Sequence, residues 1–291
     1  MCIRDSNIII ENSADVAEIY EYVTDSLAQR HWKEPEKWGP ALAKSIIVSK
    51  DWLTYKVRLR EGVKWHRPVV DWNDERYKWL EGDHYVTAED VKFALDIILN
   101  PDVPAAHLRN YYQDIASYEV LDDYTIVIKW KKKLYHSLES VCGLFPLPRF
   151  IYAFDEDGNP FPKETIGREF TNHWYNDRPI GCGPFRFVRY ETGVELVLER
   201  NEEYYGPMPA VKRIRFVFVR DPNQRLLKLR SGELDLGALI PSQYRQEILE
   251  GSPSSPFKDG RINLVMYQSC LLYTSDAADE GLGVDLGGRR I

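Results

Sequence analysis

Residues 54–60 alternate without a break: Tyr55, Val57 and Leu59 are apolar, while Lys56, Arg58 and Arg60 are basic. A period of two over this length fits a strand in a sheet with one dry face and one wet face. Thr125–Trp130 repeats the pattern after an Asp122-Asp123 turn. Between the two, Thr87-Ala88-Glu89-Asp90 has the spacing of a capping box, with acidic side chains where the helix dipole favours them. Val91, Ala94, Leu95 and Ile98 give that helix a buried stripe, and Asn100-Pro101 stops it. The chain therefore needs a sheet half covered by helix.

Both ends are set aside from this reading. Residues 1–6 (MCIRDS) back-translate to ATG-TGT-ATA-AGA-GAC-AG. Residues 270–275 (CLLYTS) back-translate to a string containing its reverse complement. Both strings match the transposon end used in sequencing-library preparation, so residues 1–6 and 270–291 are expected to be adapter-derived. Cys2 and Cys270 go with them, leaving Cys142 and Cys182 as a disulfide or as two buried thiols.

Upstream, a helix is expected over residues 12–28, with Val16, Ile19, Tyr20, Val23 and Leu27 on one side and Ser13 as N-cap. Residues 66–86 form an aromatic, charged insertion carrying Trp72, Tyr77, Trp79 and Tyr85. Such rings either offer a platform or cover their own subdomain. Past Pro179 the spacing predicts a hairpin, 185–190 with 194–200, around Glu191-Thr192-Gly193. A strand at 213–219, a helix at 222–230, a strand at 233–239, a helix at 241–250 and a strand at 262–267 follow. That β-α-β-α-β run implies an α/β lobe with crossover connections.

Composition excludes several function classes. Lys and Arg number 38 against 45 Asp and Glu, a net charge of −7, which argues against nucleic acid as a partner. No apolar run is long enough to span a membrane. Histidines 31, 66, 84, 107, 136 and 173 show no metal-ligand spacing. Between residues 7 and 269 there is no GxSxG elbow, Walker loop or GxGxxG. A binding protein fits better than an enzyme.

Five segments in order carry a resemblance: 39–49 (GPALAKSIIVS), 55–65 (YKVRLREGVKW), 86–95 (VTAEDVKFAL), 181–187 with 198–206 (GCGPFRF and LERNEEYYG), and 229–239 (LRSGELDLGAL). This succession resembles family 5 extracellular solute-binding proteins, the oligopeptide and dipeptide receptors of ABC importers. The family's usual Gly-Thr-Gly is here Gly181-Cys182-Gly183, and its short Asp-Gly turn is replaced by the 66–86 insertion.

The resemblance implies an α/β, periplasmic-binding-protein-like (type II) first lobe. Residues 7–44 and 181–269 would build that lobe, and 45–180 an inserted mixed α+β subdomain. The family's second lobe would lie beyond residue 269. It further implies capture of a peptide or other small solute outside the cytoplasm (periplasmic or otherwise extracytoplasmic, with a lipid anchor left open), delivery to a membrane permease, and no cofactor or metal.

Ser13 and Asp15 would face the cleft, although a simple helix cap explains them more readily. Ala238, Leu239 and Ile240 would line the cleft with backbone groups, or form the buried end of a strand. The alternative function is the ligand-sensing region of a transcription regulator.

Overall fold

A computed structural model describes residues 7–31, 33, 34, 36–251 and 255–265; the adapter-like termini lie outside them. The chain divides into two compact units, one running to Phe218 and the other starting at Val219.

In the first unit, helix α1 (Ala14–Val23) precedes a short pair of strands, β1 (Ala28–Arg30) and β2 (Trp38–Pro40). Strands β3 (Ala43–Val48) and β4 (Thr54–Leu59) follow, then α2 (Ala88–Leu99), α3 (Ala106–Tyr112), β5 (Ile115–Asp122) and β6 (Thr125–Trp130). Short helices α4 (Ser137–Gly143), α5 (Arg149–Tyr152) and α6 (Ile166–Thr171) lead to strands β7 (Phe185–Glu191), β8 (Glu195–Arg200) and β9 (Arg213–Val217).

Besides the β1-β2 pair, two larger antiparallel sheets carry this unit, ordered β3-β4-β6-β5 and β7-β8-β9. The alternation in β4 is realised: Tyr55, Val57 and Leu59 are buried, Lys56 and Arg58 exposed. α2 packs on the sheet's dry side, its Val91, Ala94, Leu95 and Ile98 joining Ile126, Ile128 and Trp130 in one core. Each such side chain contributes about 1.5–3 kcal/mol on burial. The start of α2 is held by Asp90, whose carboxylate accepts from the Thr87 amide at 2.8 Å and the Thr87 hydroxyl at 3.2 Å. It also accepts from the Arg149 amide at 3.1 Å, so one side chain ties the cap to α5.

A second core joins the two ends of the unit. Val16, Ile19, Tyr20 and Val23 of α1 lie against Phe185, Phe187, Leu196 and Leu198 of β7 and β8. The chain returns between the cores at residues 181–183, pressed on the end of α1. The Gly183 amide donates to the Val23 carbonyl at 2.9 Å. A Cβ on Gly181 would stand 2.1 Å from that oxygen, and one on Gly183 2.8 Å from it. Only glycine permits this approach.

His66 locks the same crossing. Its amide donates to the Gly181 carbonyl at 2.8 Å. Its Nε2 lies 2.9 Å from the Gly183 carbonyl, which only accepts, so Nε2 carries the proton. Burial brings this imidazole down to about 4.

The expected end of α1 needs correction, while two alternatives left open, for the cysteines and for the insertion, are decided. α1 ends at Val23 rather than at residue 28, because Thr24 turns extended and presents the Val23 carbonyl to Gly183. Leu27 is buried, but outside the helix. Cys142 and Cys182 are both buried and free, so they form no disulfide. The insertion covers its own surroundings: Tyr77 stacks on Trp174, and Trp79 packs against Phe154 and Trp174. Arg67 lies over Trp72 at 4.0 Å.

The second unit holds α7 (Pro222–Ser231), α8 (Pro241–Tyr244) and a π turn at Arg245–Leu249. α7 is made from local signals. Asp221 caps it by accepting from the Asn223 and Gln224 amides, proline opens it, and Gly232 closes it at φ 77. The strand expected at 233–239 is absent, and residues 262–265 of the last expected strand are not extended into a ladder; 266 and 267 lie outside the described residues. A strand needs a neighbour to take its amides and carbonyls, and among the described residues of this unit none is present.

Candidate functional site

Ser13 ends its extended backbone at the start of α1, and its hydroxyl oxygen accepts from the Val16 amide at 3.3 Å. That bond is the helix cap. Asp15 follows in the first turn, exposed. A solute reaching this end of α1 would meet one carboxylate and a hydroxyl already engaged.

Ala238, Leu239 and Ile240 belong to the second unit, on an irregular stretch ahead of α8. Ala238 is exposed, and Leu239 and Ile240 are half-buried. The Ile240 amide donates to Gln243 Oε1 at 3.3 Å, while Gln243 Nε2 donates to the Pro222 carbonyl at 2.9 Å. Glu247 holds Arg230, which pins the π turn to α7. Among the described residues, the amides of Leu236 to Leu239 make no backbone hydrogen bond.

A buried polar cluster of the first unit was missed from the sequence. Asp25 is buried, and its Oδ2 accepts from the hydroxyls of Tyr204 at 2.9 Å and Tyr205 at 2.7 Å. Its Oδ1 accepts from Gln29 Nε2 at 3.0 Å. Burial pushes this carboxyl up, and the tyrosine hydroxyls pull it back. Beside it opens a depression of about 310 Å³ lined by Gln29, Pro40, Arg60, Tyr205, Gly206 and Pro207. Arg60 donates through Nε to the Ala41 carbonyl at 2.6 Å, with its guanidinium 5.6 Å above the Tyr205 ring. About 180 residues separate Asp25 from the tyrosines, and only an aspartate just past an apolar helix face hinted at the cluster.

The side of β7-β8-β9 away from α1 is charged. Glu195 is buried between Arg189 and Arg215, and Arg215 holds its carboxyl below the usual range. Arg186 and Arg213 share Glu199 in the same manner. These pairs are complete. Among the described residues no group of three or more His, Cys, Asp or Glu side chains could hold a metal, and no helix is long and apolar enough to cross a membrane.

Comparison with known proteins places this arrangement. The pattern of the bacterial extracellular solute-binding proteins, family 5 middle, matches residues 37–267. Di/tripeptide-binding protein 2 of Pseudomonas aeruginosa is 28% identical over 242 residues, 82% of this chain and 42% of its own. The ABC transporter substrate-binding protein CtaP of Listeria monocytogenes superposes with a TM-score of 0.64 at 26% identity, over 85% of this chain and 44% of its own. The oligopeptide-binding protein AppA of Bacillus subtilis, solved with a nonapeptide, shares the fold at a TM-score of 0.63 and 21% identity, over 83% and 42%.

The chain spans 32% to 42% of the length of the first curated relatives it matches. With its two antiparallel sheets, its helix-covered cores and the family pattern running through both units, this chain belongs to the family 5 bacterial extracellular solute-binding proteins.

Proposed function

We propose that the whole protein is the substrate-binding component of an ABC importer, capturing peptides or a related small solute outside the cytoplasm and passing them to a membrane permease. The observation that carries this is the family match over residues 37–267 together with a relative named for di- and tripeptide binding. On this reading residues 7–44 and 181–269 build one lobe, and 45–180 is inserted into it. The α1 core supports the division, because it is the place where the first and third of these segments meet. Ser13 and Asp15, and separately the main chain of Ala238, Leu239 and Ile240, are the groups this reading assigns to solute contact. Recognition works by enclosure and backbone pairing, with hinge closure and no covalent chemistry. The regulator reading gains no support from the fold or the relatives.

Calorimetry of protein expressed from an intact gene, titrated with di-, tri- and oligopeptides, tests the proposal. Saturable peptide binding with the peptide recovered unchanged is the expected result. Turnover of the peptide, or binding of some other solute only, would refute it. The 291-residue chain alone should show no tight peptide binding, and nanomolar affinity would sink the reading that it holds only part of the site.

A further inference from the structure

One end of the β3-β4-β6-β5 sheet collects exposed lysines and aromatic rings from three separate segments. The turn between β3 and β4 brings Lys50 and Trp52. The exit of β6 brings Lys131, Lys132, Lys133 and Tyr135, and the end of α3 brings Tyr111. These segments are bonded to one another. The Trp130 amide donates to the Leu53 carbonyl at 2.8 Å, and the Lys131 amide to the Asp114 carbonyl at 2.9 Å. Lys133 Nζ sits 5.1 Å from the centre of the Trp52 ring, and Tyr111 and Tyr135 both meet His136 edge-on. Four lysines face two acidic neighbours, Asp51 and Asp114. Lys132 reaches Asp114 at 3.3 Å, while Asp51 caps its own turn by accepting from Ser49 and Leu53.

Two features separate this patch from an ordinary solvated surface. Tyr135 is 97% exposed, with Tyr111 at 53% and Trp52 at 43%. Trp52 is also the one non-glycine residue at positive φ (61°) among the described residues. An aromatic side chain is disfavoured there, where glycine or asparagine would sit without strain. The turn nonetheless enforces it, through the Trp52 amide on the Ser49 carbonyl and the Thr54 amide on the Ser49 hydroxyl, both at 2.9 Å. The turn thus holds a half-exposed ring at a backbone angle that costs free energy.

We infer that this end of the sheet, built from Lys50, Trp52, Lys131, Lys132, Lys133 and Tyr135, is a docking surface for an anionic phospholipid bilayer. Ammonium groups interleaved with exposed Trp and Tyr are the composition that settles at a membrane interface, where the rings enter the headgroup layer and the lysines meet lipid phosphates. The patch sits on turn tips, which suits contact with a plane. The overall charge of −7 opposes approach to an anionic surface, but charges more than about 10 Å away are screened at ordinary salt.

The test is co-sedimentation of the 291-residue chain with phosphatidylglycerol-containing vesicles and with pure phosphatidylcholine vesicles, at low and high salt. Binding to the first, weakened by salt, is expected. The Lys131→Gln/Lys132→Gln/Lys133→Gln variant should lose about a hundredfold in partitioning, from about fivefold per charge. Trp52→Asn should bind several-fold more weakly while melting no lower than the parent, since it relieves the positive φ. No binding by the parent would overturn the inference. So would binding that the triple variant leaves unchanged, or retention on heparin without any on vesicles, which would assign the patch to a polyanion instead.

Discussion

The two units of this chain are held in different ways. Up to Phe218 the structure rests on contacts between residues far apart in sequence: α1 on β7 and β8, Gly181 and Gly183 on Val23, Asp25 on Tyr204 and Tyr205. After Val219 it rests on shorter spans: Asp221 with Asn223, Gly232 with Lys228, Gln243 with Ile240 and Pro222, and Arg230 with Glu247, at most 21 residues apart. Helices form under either regime, because a cap and a stop are local. Strands form only under the first. The segment 233–239 has a strand's composition yet no ladder, which shows that β pattern describes a face awaiting a partner.

The largest test of this contrast is pH. His66 and His173 are buried neutral, both brought down by burial to about 4 from an ordinary 6.5. Between those values the unfolded chain binds protons that the folded one refuses, so stability falls as pH drops through the window, by about 3 kcal/mol per histidine. Asp90 acts oppositely. Burial raises it to about 6, so its contribution is present below about 4 and is lost as pH rises through 6. Asp25, which burial also raises, acts in the same direction as Asp90, and the two histidines set the sign of the net change. The urea midpoint of the first unit should therefore drop between pH 6.5 and 4.5, and His66→Gln/His173→Gln should flatten the slope.

Next in size is Gly181→Ala, whose methyl would meet the Val23 carbonyl at 2.1 Å. With backbone on both sides, the crossing must open, at a cost of about 3 kcal/mol in a denaturant melt. A variant as stable as the parent would show that the crossing is not what unites the ends of the unit. Asp25→Ala strands two tyrosine hydroxyls and the Gln29 amide, and should cost about 2 kcal/mol. Local changes should be smaller. Ser13→Ala removes one cap bond, and Gly232→Ala places a methyl at φ 77, each costing about 1 kcal/mol. If Gly232→Ala instead cost as much as Gly181→Ala, the second unit would be as cooperatively built as the first, and the contrast would fail.

Local structure around the proposed site residues was readable in advance, though unevenly. Ser13 was identified as a cap, and it caps. The aromatic insertion turned out to cover its own neighbourhood, as stacking of Tyr77 on Trp174 shows. Asp25 went unseen because its three partners lie on a strand edge and on a loop 180 residues away, and no pattern along the chain encodes that meeting.

What sequence alone determined here is whatever has a short period or a local stop. That covers the alternation of β4, the Asp90 clasp at α2, the proline and glycine that bound α7, and the ordered segments marking the family. Tertiary structure alone decided where α1 ends, which thiols stay apart, which rings remain in water, and which strand-like stretches become strands. The physical reason is the same each time. Turns and caps satisfy backbone groups within a few residues, whereas a ladder, a close glycine crossing or a buried carboxylate exists only once distant chain has arrived to complete it.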